Sequence, residues 1–162
     1  AKEGISPSEM DNCILCYDFQ VGDDGEFMNT GTAKLSGTTK GQIAITDAGP
    51  LGKAAEFDGE SFLNIDHDPA LNCNRALTLE AWIHPNATAS NRIIDKTIAG
   101  TASGYNLDLY GHAVRLISKA RNTNPTSTVK ILPGEWTHVA GVIDGKTGEL
   151  AIYVNGKEVS ER

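Results

Sequence analysis

"LTLEAWIHP", residues 77–85, alternates strictly: Leu77, Leu79, Ala81 and Ile83 on one set of positions, Thr78, Glu80, Trp82 and His84 on the other. An extended chain sends successive side chains to opposite faces. One face of this segment is therefore aliphatic, and the other carries an acid, an indole and an imidazole. The segment reads as a half-buried strand. Grouping Trp82 with the polar set leaves two readings open: an aromatic wedged into an inter-sheet core, or an aromatic offered to a ligand.

The same period of two runs through the rest of the chain, and helical periodicity is almost absent. Strands are expected at 13–20, 42–46, 53–58, 61–66, 77–84, 91–97, 104–110, 113–119, 127–132, 136–143 and 149–155. Turn-forming clusters separate them, among them "VGDDGE", "DAGPLG", "HDPALNCN", "LPGE" and "VNGK". That many short strands in 162 residues predicts an all-β, two-sheet antiparallel sandwich or jelly roll. At 40% hydrophobic residues the chain can bury a core. No apolar run reaches the roughly 18 to 20 residues of a membrane helix, so membrane insertion is not expected. The net charge of −7, with Lys and Arg scattered singly, argues against a nucleic-acid partner.

Cys13 and Cys16 form C-x-x-C within "NCILCYDF", and Cys73 stands alone in "LNCNRAL". One such pair is half of a structural zinc site, and the segment reads as a strand rather than as the start of a redox helix. The expectation is small buried or half-buried thiols, with a Cys73 disulfide to one of the pair left open. "ELAIYVNGKEVSER", 149–162, reads as a strand, an Asn-Gly turn and the start of a return strand. The expectation is that the native polypeptide continues past Arg162.

Three longer stretches carry a resemblance: "AAEFDGESFLNIDHDPALNCNRALTLEAWIHP" (54–85), "IIDKTIAGTASGYNLDLYGHAVRLIS" (93–118) and "LPGEWTHVAGVIDGKTGELAIYVNGKEV" (132–159). Their order resembles a concanavalin A-like domain of the laminin-G-like type, over about residues 13–159. The resemblance implies a jelly roll over 13–162 preceded by an extension, 1–12, and lacking the family's closing strand pair with its "iDEv-iy" motif. It implies a module attached to secreted, periplasmic or cell-surface proteins. Such a module binds a glycan or polysaccharide, or packs on a neighbouring catalytic domain. Structural calcium occurs in such domains; here "GDDGEFMNTG", 22–31, gathers Asp23, Asp24, Glu26 and Asn29, without the EF-hand pattern.

Sorting faces strand by strand yields the candidate site. If the strands share one sheet, a single surface collects Glu80, Trp82, His84, Asn106, Asp108, Tyr110, Arg115, His138 and Tyr153. An aromatic plane for the C–H face of a sugar, with amides, carboxylates and Arg for its hydroxyls, is the chemistry of saccharide recognition. Trp136 is expected in the inter-sheet core. A glycosidase needs two carboxyls about 5 to 9.5 Å apart. Glu80 has Thr78 and Trp82 as same-face neighbours, and Asp66 and Asp68 run into Pro69, where an Asp usually caps a turn. The chain is expected to be non-catalytic. "NAT", 86–88, fits an N-glycosylation sequon.

Overall fold

The computed structural model describes residues 12–22, 26–33, 35–73, 76–87, 89–98, 104–118 and 124–160. The chain divides into two units, Ala1–Asn72 and Cys73–Arg162.

The first unit is built from three antiparallel pairs. β1 (Tyr17–Val21) pairs with β2 (Phe27–Asn29), β3 (Gly37–Lys40) with β6 (Phe62–Ile65), and β4 (Ala44–Gly49) with β5 (Gly52–Glu56). Phe19 meets Phe27 and Phe57 edge to face, at 5.6 and 6.2 Å between ring centroids. The strand expected from residue 13 begins only at Tyr17. Before it, the carbonyls of Cys13, Ile14 and Cys16 accept from Thr32, Ala33 and Thr30 in an irregular ladder. Asp68 caps the 3-10 turn Pro69–Leu71, its carboxylate accepting from the Ala70 amide at 2.8 Å.

The second unit is a sandwich of two four-stranded antiparallel sheets. The first sheet runs β14 (Lys157–Glu158), β13 (Leu150–Val154), β12 (Thr137–Ile143), β7 (Leu77–Ile83). The second runs β11 (Thr126–Lys130), β10 (Ala113–Ser118), β9 (Gly104–Tyr110), β8 (Asn91–Thr97). The all-β jelly-roll class expected from the alternation is the fold observed. Alternate residues of both sheets seal the space between them: Leu79, Val139, Ile143, Ile152 and Val154 from one, Tyr105, Leu107, Leu109, Val114 and Leu116 from the other. Leu107, Leu116, Ile152, Val114 and Val139 lose all contact with solvent. Burying each such side chain contributes about 1.5–3 kcal/mol. Gly141 lies hard against the facing sheet; a Cβ there would lie 2.8 Å from Cδ1 of Leu116 and 3.1 Å from Cδ1 of Leu107.

Asn155 and Gly156 form the two-residue turn between β13 and β14, with φ of 49° and 75°. Positive φ at both positions is the type I′ geometry that Asn-Gly favours, because its twist matches that of paired strands. Beyond it, Val159 donates to the Ile152 carbonyl and accepts from the Thr128 amide, so one segment bonds to both sheets.

Packing this tight makes Gly141 sensitive to added volume. Gly141→Val is expected to destabilise the protein by about 1–3 kcal/mol in urea unfolding. An unchanged midpoint would contradict the close approach of the sheets.

Candidate functional site

The expected surface divides in two, because β7 and β12 lie in one sheet while β9 and β10 lie in the other. Both sheets turn their aliphatic faces to the shared core, so their polar faces look in opposite directions. Glu80, Trp82, His84, His138 and Tyr153 stay together on the first sheet. Asn106, Asp108, Tyr110 and Arg115 stand on the far side of the second. The alternation sorted faces within each strand; it held no information on which strands are neighbours.

On the first sheet, pairing places His138 opposite Trp82, Ala140 opposite both Glu80 and Tyr153, and Glu158 opposite Tyr153. Trp82 and His138 meet edge to face with centroids 5.3 Å apart. Just beyond the strand ends, His84 packs against Trp136, also at 5.3 Å. Two indoles and two imidazoles thus form a four-ring patch across two adjacent strands. Trp82 is 42% exposed, which answers the question its polar neighbours raised. Trp136, expected in the inter-sheet core, is instead half-buried on the outer side against His84. Its parity with His138 already carried that signal. Ala140, between Glu80 and Tyr153, is buried beneath its neighbours.

A latch holds His138 in place. The Asn155 side chain accepts from the His138 amide at 3.0 Å, and the Asn155 amide donates to the His138 carbonyl at 2.9 Å. The tight turn thereby completes the ladder one residue past its last regular pair. Nε2 of His138 lies 3.5 Å from Oε2 of Glu80. That interaction holds the Glu80 carboxyl below the usual glutamate range, against partial burial that pushes it up.

The second sheet's outer face is organised differently. Arg115 forks onto Asp108, with Nε to Oδ1 at 3.0 Å and Nη2 to Oδ2 at 2.7 Å. Its guanidinium also lies 4.5 Å from the centre of the Tyr110 ring. Asp108 is buried and Tyr110 exposed, so the carboxylate lies under the guanidinium while the phenol faces solvent. Asn106 is wholly buried, and its side chain makes no hydrogen bond of good geometry. It lies beside Asp95, whose carboxyl burial pushes up. The hydroxyl and amide of Thr97, the Asn106 amide and Arg92 together outweigh that and hold it low. Arg115 and Asp108 satisfy one another, and this face offers a ligand little unspent charge.

A laminin-G-type family model, described as the concanavalin A-like lectin/glucanases superfamily, matches residues 57–162. The chain belongs to this superfamily. No curated protein and no solved structure matches it. Within the lectin-like sandwich, the four-ring patch with Glu80 and Tyr153 is the part of the expected site that the fold brings together.

The metal expectation finds different partners. Asp23 and Asp24 lie outside the described residues, as does Thr88 of the sequon. Asn29 is committed to backbone, its Oδ1 accepting from Cys16 and Gly31 at 2.9 Å and its Nδ2 donating to Ala33 at 2.6 Å. Among the described residues no group of three His, Cys, Asp or Glu is placed to hold a metal ion. None of the three cysteines forms a disulfide. No helix among the described residues is long and apolar enough to cross a membrane.

Two outcomes follow from this geometry. Because the folded-state pKa of Glu80 is lowered, its pairing stabilises the protein above the ordinary glutamate range, near about 4.3. That contribution disappears as pH falls through the lowered value. In a carbon-detected NMR titration the Glu80 midpoint is expected below the ordinary range and to rise in His138→Ala; a midpoint unmoved by that change contradicts the pairing. Asn106→Leu replaces a buried amide that makes no hydrogen bond of good geometry by an apolar side chain of similar volume, and is expected to leave the melting temperature unchanged or raised. A loss of about 2 kcal/mol or more would show that the amide is partnered.

Proposed function

We propose that this chain is a non-catalytic carbohydrate-binding module of a secreted, periplasmic or cell-surface protein, with its ligand on the outer face of the first sheet. The observation that carries the reading is the exposed Trp82, fixed edge-on by His138 and bordered by Glu80, Tyr153, His84 and Trp136. A pyranose ring lays its C–H face on an indole, while a carboxylate, an imidazole and a phenol accept and donate to its hydroxyls. Large exposed aromatics are costly to leave in water, and a cluster of them rimmed by polar groups is characteristic of a binding surface. Superfamily membership agrees with a glycan ligand.

The superfamily also contains glucanases, and the spacing of acids bears on that branch. Glu80 and Glu158 share a row of the sheet but stand three strand spacings apart, about 14 Å between backbones. Acid–base cleavage of a glycosidic bond uses carboxyls about 5 to 9.5 Å apart. Binding without cleavage is the chemistry that this row supports.

Calorimetry against a panel of oligosaccharides tests the proposal. Binding is expected with at least one, with Trp82→Ala weakening it about tenfold or more while thermal stability shifts only slightly, as for most surface changes. Silence across the panel, or a Trp82→Ala variant that binds undiminished, would overturn the reading in favour of a face that docks on a neighbouring domain.

A further inference from the structure

The charges on the proposed site restrict which glycans it accepts, an inference that rests on the carbohydrate-binding reading. The outward positions of the four strands are Thr78, Glu80 and Trp82 of β7, His138, Ala140 and Val142 of β12, Ala151 and Tyr153 of β13, and Glu158 of β14. Two of these are carboxylates and none is Lys or Arg. Lys157 pairs with Val154, whose side chain is buried, and so belongs to the opposite set of positions. Lys146 lies in the turn after β12, at the far end of the sheet from Trp82.

The Glu80 carboxyl is held in its ionised form by His138, so its charge persists at neutral pH. Around this row the whole chain carries a net charge of −7. A ligand bearing carboxylates or sulfates would bring like charge against Glu80 and Glu158, with no guanidinium among the described outward positions to receive it. Like-charge juxtaposition across an interface is strongly unfavourable and also slows encounter. Arg115, whose guanidinium has the fork geometry that an anion would use, is on the other sheet and already closed onto Asp108.

We infer that the outer face of the first sheet selects uncharged glycans and rejects polyanionic ones. Glu80 and Glu158 act as the discriminating pair, in the row of the sheet beside Trp82 and His138. In this arrangement affinity comes from stacking and hydroxyl contacts, and selectivity from repulsion.

The test compares neutral glucans, xylans and mannans with polygalacturonate and heparin, by calorimetry at low and at moderate ionic strength. Neutral glycans are expected to bind, and the anionic ones to bind about tenfold more weakly or worse at low salt. That gap should narrow as added salt screens the repulsion. The Glu80→Gln, Glu158→Gln double variant is expected to raise anionic binding at low salt. Anionic glycans binding as tightly as neutral ones, or a gap that ignores both salt and the double substitution, would overturn the inference while leaving carbohydrate binding intact. No binding by either class would overturn the carbohydrate reading and this inference with it.

Discussion

The contact between the inner faces of the two sheets determines where every other side chain of the sandwich can go. Leu107, Val114 and Leu116 meet Val139 and Ile152 with no solvent between them, and Gly141 lets the backbone of β12 approach where any side chain would collide. In a strand the period is two, so a slip of one residue exchanges the faces completely. Such a slip in β7 or β12 would drive Glu80, Trp82 and His138 into the core and expose Leu79 and Val139. The register is therefore fixed by several aliphatic side chains at once. The four-ring patch follows as the complement of that core.

The two outer faces show what a sheet can do with its polar half. On the second sheet, Asp108 and Arg115 neutralise each other and Tyr110 stacks on the guanidinium. Charge there is spent internally. On the first sheet, Glu80 has only a long contact to an imidazole, and Trp82 presents a large part of its ring to water. Rigidity comes from elsewhere: cross-strand ring pairs and the Asn155 latch hold the side chains without consuming their outward contacts. Preorganised aromatic rings with unspent polar neighbours suit a ligand that must be gripped with little ordering cost.

Much of this was legible in the sequence, and the reason lies in particular residues. "LTLEAWI" names its own inside and outside, "VNG" names its own turn, and both are local facts. The strand at 104–110 was equally plain. Short β2 and β3 were not: "FMN" is too brief to show a period, and "GTTK" has no aliphatic side chain to bury. The division of the candidate site was illegible for a different reason. Sheet order is set by contacts distant in sequence, and Asp108 with Arg115 looked as suitable beside Trp82 as Glu80 and His138 do. Trp136 was expected inside, although its parity with His138 put it on the outer side.

The most direct measurement of the central claim is the solvent accessibility of one indole. In a Trp136→Phe variant Trp82 is the sole tryptophan, and its fluorescence can be quenched with acrylamide in the folded protein. A core packed from the alternate residues of each strand predicts red-shifted emission that acrylamide quenches readily. Blue-shifted emission resistant to quenching would put Trp82 inside and contradict the assignment of faces from which the site is built.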